Sequence, residues 1–115
     1  MEEFILLFRI DIVTKESQPS AEQMKIYMDQ YHAWVKTIVA ENKFAGGKGL
    51  SREGKVLKDN LVTDGPYVEI KESIAGFITI KADSFEDAVR LSKGCPILNG
   101  KGNSVEIRKI ATDPT

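Results

Sequence analysis

The chain has one histidine, His32, in the run YHAWVK, and three carboxylates, Asp64, Glu69 and Glu72, in the run VTDGPYVEIKES. An imidazole changes charge near neutral pH and does general acid–base work when a positioned partner orients it or shares its proton. Asp64 is the favoured partner. Pro66 fixes its own φ and biases Gly65 toward extended geometry, so the bend after Asp64 is stiff and aims a carboxylate with little loss of entropy. Proton transfer by such a pair needs no cofactor. Arg52, Tyr67 and Glu72 are the groups expected to hold a substrate beside it. The same residues also have a bland reading. His32 would then be a boundary side chain with a packed ring and wetted nitrogens, and Asp-Gly-Pro an ordinary turn whose aspartate bonds its own backbone.

Other chemistries lack their spacing. AGGKGLS has the glycines of a phosphate loop but not the G-x-x-x-x-G-K-[ST] pattern. A structural zinc site needs several Cys or His at short intervals, and the chain has one of each, so no metal is expected. Cys95 follows a predicted helix C-terminus, where the dipole disfavours a thiolate nucleophile. No Ser-His-Asp arrangement is recognisable by spacing.

The elements that position these residues follow from periodicity. Phe4 to Asp11 alternates Phe4, Leu6, Phe8 and Ile10 against Ile5, Leu7 and Arg9, which predicts a strand with two largely apolar faces. Ser20 to about Asn42 predicts a long helix, with Ser20 and Gln23 as a capping box. Its apolar stripe is Met24, Tyr27, Met28, Tyr31, Trp34, Val35 and Ile38, and His32 lies at the edge of that stripe. Phe44 to Leu50 and Lys55 to Thr63 read as short extended segments joined by a turn at REG. Gly76 to Ala82 reads as a strand.

Asp83 or Ser84 caps a second helix reaching about Lys93, with Phe85, Ala88, Val89 and Leu91 on its buried face. Gly94 is expected as a left-handed C-cap glycine and Pro96 as the stop. Ser104 to Ile110 is the last strand. The order β-α-β-β-α-β with right-handed crossovers defines a ferredoxin-like α+β sandwich, an antiparallel sheet with both helices on one face. The apolar residues on both sides of the first strand imply that the other face is also covered, and a second copy of the chain is the economical cover.

Bulk properties bound the rest. A chain of 115 residues is expected to form one domain spanning 1–115. Sixteen basic and seventeen acidic residues are interleaved without a basic stripe, which argues against a nucleic-acid partner. MEEFILLFRIDIV begins acidic and Arg9 interrupts it early, so neither a secretory signal nor a membrane span is expected, and a cytoplasmic location is.

The run VTDGPYVEIKESIAGFITIKADSFEDAVRLSKGCP resembles the YCII-related family, and within it the DGPF branch. The resemblance rests on Asp64, Gly65 and Pro66, Glu69, Lys71 with Glu72, Gly76 with Phe77, and Asp83, Cys95 and Pro96. It extends through the first strand, the long helix and the final SVEIRKI. Tyr67 stands where the branch has Phe, and Ala75 replaces the first glycine of its Gly-Gly-Phe. The resemblance implies a homodimer of the dimeric α+β barrel type. It also implies a His–Asp pair as the proposed active pair, which His32 and Asp64 would supply, and in some relatives a link to sigma factors. Two functional readings stay open. One is a small-molecule-binding domain, an enzyme if His32 and Asp64 move a proton on a small substrate. The other is a non-enzymatic interaction or regulatory module with sigma-factor or stress-response partners.

Overall fold

A computed structural model describes residues 1–11, 20–51, 53–59, 61–64 and 72–112. Its elements run β1 (Glu2–Asp11), α1 (Ala21–Ala40), β2 (Phe44–Gly49), β3 (Lys55–Lys58), β4 (Leu61–Asp64), β5 (Glu72–Ala82), α2 (Phe85–Ser92) and β6 (Ser104–Lys109), with a 3-10 turn over Pro96–Asn99 before the last strand. The main sheet has the order β2-β5-β1-β6, and its paired neighbours are antiparallel. This is the ferredoxin-like arrangement, with β1 and β5 at its centre.

The alternation in β1 sets the two layers. Phe4, Leu6 and Phe8 are buried under the helices together with Ile78, Ile80 and Ala82 from β5. Trp34 and Ile38 from α1, Ala88 and Leu91 from α2, and Cys95 and Ile97 close this core. Each large apolar side chain removed from water here stabilises the fold by about 1.5–3 kcal/mol. On the other face, Ile5 opposes Thr79 and Leu7 opposes Phe77, and all four are half-buried. Arg9 crosses that face to donate from Nε and Nη2 to Glu106 Oε1 at 3.0 and 2.8 Å.

Both helix starts are capped as their sequences require. The Ser20 Oγ accepts from Gln23 N–H at 3.1 Å, and the Gln23 side chain accepts from Ser20 N–H at 2.9 Å. Ser84, not Asp83, caps α2 by accepting from Asp87 N–H. The end of α1 is a Schellman motif. Asn42 takes φ 60°, its N–H bonds Val39 O, and Lys43 N–H bonds Ile38 O. Lys43 then donates to Asp87 Oδ2 at 2.7 Å, and Arg90 bridges Asp87 and Glu41, so charge fastens the end of α1 to the start of α2. The Lys43 ammonium, the Asp83 N–H and Arg90 hold the Asp87 carboxyl well below the usual carboxylate range.

Several expectations are corrected. Lys55 to Thr63 is not one extended segment. It is a separate two-stranded hairpin, β3 against β4, that turns at Asp59, whose φ is 42°. Asp59, a short polar residue that tolerates a positive φ, marks that turn, a signal outweighed in the sequence by the glycine of REG. Strand β5 starts at Glu72 rather than Gly76, because β1 is long enough to pair with it from Asp11 onward. Gly94 is not left-handed. A Cβ there would stand 3.0 Å from Trp34 Cδ1, so the glycine makes room for an indole. Phe85 and Val89 are exposed, while Leu91 and Ser92 are buried with Ala88. Phe85 still meets the Phe4 ring edge-on at 4.9 Å.

Candidate functional site

The stripe of α1 divides along its length. Trp34 and Ile38 are in the core, Tyr27 and Tyr31 are half-buried, and Met24 and Met28 are 43% and 37% exposed. The exposed methionines are not stray surface residues. With Tyr27 and Tyr31 they form one wall of a cavity of about 770 Å³ between α1 and the end of the sheet. The floor is Phe8, Ile10 and Ile74, and the 3-10 turn contributes Pro96 and Ile97. Leu50 and Ser51, beyond β2, form the opposite lip, and the rim carries Asp11, Lys101 and Asn103.

Backbone irregularity shapes this end of the sheet. The β1–β5 register breaks between Phe8 and Arg9, where Ala75 is the extra residue of a bulge. Its carbonyl accepts from Leu50 N–H at 2.8 Å, which draws the segment after β2 toward the bulge. The approach of β2 to β5 depends on glycine. A Cβ at Gly47 would lie 2.3 Å from Phe77 O, and one at Gly76 would lie 2.8 Å from Lys48 O. AGGKG in the sequence is therefore the mark of a close strand contact rather than of a phosphate loop. Bulges recur beside functional sites because they re-aim side chains.

The aromatic wall is electrically quiet. Tyr27 and Tyr31 stack with ring centres 6.1 Å apart, and Tyr31 also touches the Phe8 and Trp34 rings. Burial, with a smaller contribution from Cys95, pushes both phenols above the ordinary tyrosine value, so they stay protonated. Burial pushes the Cys95 thiol up to about 11, which leaves it without a nucleophilic thiolate near neutral pH. Trp34 Nε1–H donates to Leu91 O at 2.9 Å and anchors the wall to α2.

The sequence-predicted residues fall in different places. His32 is exposed on α1, its ring edge-on to Tyr31 at 5.9 Å. His32 is not among the described residues that line the cavity, whereas its neighbour Tyr31 is. Asp64 ends β4 and Glu72 opens β5, where it opposes Asp11 in the cavity rim. Arg52 and Tyr67 lie outside the described residues, as do Gly65, Pro66 and Glu69. Sequence reasoning missed Met24, Met28 and Leu50 as site residues. They read as core because an apolar stripe looks the same whether it meets a packed layer or a cavity. Among the described residues, no three His, Cys, Asp or Glu side chains gather as a metal site. No helix among them is long and apolar enough to cross a membrane.

The described residues thus form an antiparallel α+β sandwich with an apolar cavity between its long helix and the open end of its sheet. The YCII-related domain model matches residues 9–111, and the chain belongs to that family. No curated protein matches the sequence.

Proposed function

We propose that this chain binds a small molecule of largely apolar body in the cavity under α1. The observation that carries the reading is the cavity. Its volume of about 770 Å³ lies within the range of small-molecule sites, and its wall is methionine and tyrosine with a few polar groups at the rim. Methionine side chains adapt to irregular ligands and tolerate exposure at a binding mouth. A naphthalene-sized apolar probe is expected to raise the melting temperature by mass action, and Met24→Arg with Met28→Arg to abolish that rise. An equal rise in both proteins would place the probe elsewhere and end the reading.

Proton transfer on the bound molecule is the chemistry we assign to His32 and Asp64, with Arg52, Tyr67 and Glu72 holding the substrate. What supports it is proximity along the chain and in register: His32 is next in sequence to the wall residue Tyr31, and Glu72 pairs with the rim residue Asp11. His32→Ala and Asp64→Asn should each abolish turnover and leave the melting temperature unchanged. A loss of stability in both variants would make the residues architectural.

We further propose a homodimer through the open sheet face, a cytoplasmic setting, and membership of the DGPF branch on the strength of Asp64-Gly65-Pro66. Half-buried Ile5, Leu7 and Phe77 support the dimer. Leu7→Lys with Phe77→Glu should then sediment as monomer where the unaltered chain sediments as dimer. A monomeric unaltered chain at micromolar concentration would refute it.

A further inference from the structure

Tyr27 and Tyr31 are two phenols one helical turn apart on the same wall, half-buried, with stacked rings. Among the described residues, nothing accepts a hydrogen bond from either hydroxyl. Neither hydroxyl is a fully buried unsatisfied group, so both are solvated donors that a ligand oxygen can engage in place of water. Both hydroxyls are donors rather than bases, because burial keeps them protonated. The charged residues of the lining are Lys48, Lys101 and Asp11. Neither lysine has an ion-pair partner among the described residues. Asp11 sits against the Gly102 turn, where a Cβ on the glycine would meet its Oδ2 at 3.0 Å, and its N–H donates to Asn103 Oδ1 at 2.9 Å. The cavity therefore combines an apolar wall, two phenolic donors and two lysines, with the Asp11 carboxylate on its rim.

We infer that the cavity takes an apolar-bodied carboxylate, with Tyr27 and Tyr31 as the paired hydrogen-bond donors to its oxygens. The proposal rests on the ligand cavity described above and narrows its ligand class. A carboxylate offers two acceptor oxygens to two donors, and hydrogen bonds to an ionised acceptor are the strong ones. A neutral alcohol of the same body accepts more weakly from the phenols, and an amine adds a cation to a lining that already holds Lys48 and Lys101.

Three probes with one body separate the outcomes: 2-naphthylacetate, 2-naphthaleneethanol and 2-naphthylethylamine. Trp34 is the only tryptophan and its ring centre is 5.8 Å from that of Tyr31, so its indole N–H resonance reports occupancy of the wall. The carboxylate is expected to bind at least about tenfold tighter than the alcohol, the amount by which a hydrogen bond to a charged group discriminates. Tyr27→Phe and Tyr31→Phe should each remove most of that preference, weakening the carboxylate more than the alcohol. An unmoved Trp34 resonance in the unliganded variants shows that the wall is intact. Equal affinity for all three probes, or a preference that survives both substitutions, overturns the donor pair and leaves the cavity reading standing. No response to any of the three overturns both.

Discussion

One apolar stripe runs the length of α1, yet its two halves do different work. At the C-terminal half, Trp34 and Ile38 are buried, and the indole is bonded to Leu91 O and seated against Gly94. At the N-terminal half, Met24 and Met28 lie on the same stripe but stand exposed around a cavity. The helix is the same in both; the difference lies in what faces it. The first half meets α2 and the centre of the sheet, where side chains interdigitate. The second overhangs a sheet end bent by the Ala75 bulge and bounded by glycine-rich β2. Amphipathicity decides which face of a helix turns inward, and the opposing layer decides whether that face is filled.

The contrast can be broken most directly by truncation. Trp34→Ala should cost about 3–5 kcal/mol and Ile38→Ala about 2–5 kcal/mol, read from denaturant midpoints. A Trp34→Ala cost near that of a surface change would erase the distinction between the halves. Next in size, Gly47→Ala should cost about 1–3 kcal/mol and loosen β2, because its Cβ would lie 2.3 Å from Phe77 O. Gly49→Ala meets nothing within 4 Å, and its effect should stay within about 0.5 kcal/mol. Hydrogen exchange along β2 distinguishes a local loosening from a global loss.

The charge clamp at the filled half makes a pH prediction. Lys43 holds the Asp87 carboxyl low, so its stabilisation is complete above the unfolded value near about pH 4 and is lost as pH falls through the depressed native value. The stability gap between the unaltered chain and Asp87→Asn should be flat from about pH 7 to 5 and shrink below about pH 4. A gap that widens on acidification would refute the clamp. The smallest effect is expected at the open half. Met24→Ala and Met28→Ala should each change stability by no more than about 0.5 kcal/mol while weakening any cavity ligand.

Much of this was legible beforehand, and unevenly. Ser20 with Gln23 announced the start of α1, and the alternation of Phe4, Leu6 and Phe8 announced which face of β1 is core. Both signals are local, and local chemistry sets them. The stripe on α1 was legible as apolar but not as divided, since Met24 and Ile38 look alike until a partner layer is present. His32 and Asp64 stood out because of their chemistry. The residues that the fold gathers round the cavity stood out only as part of an apolar stripe, or not at all. Tyr27, Tyr31 and Leu50 converge from a helix and a strand end far apart in the chain.

By itself the sequence determined the ferredoxin-like α+β class, the capped helices and the inward faces, because each depends on periods and caps spanning a few residues. Only the tertiary structure decided that Lys55 to Asp64 forms a hairpin outside the main sheet, that Gly94 serves Trp34 rather than a left-handed cap, and that half of α1 covers a cavity. Those outcomes turn on which surfaces meet across the layers. The free energy of that meeting belongs to pairs of distant residues, and no short stretch of chain contains both members.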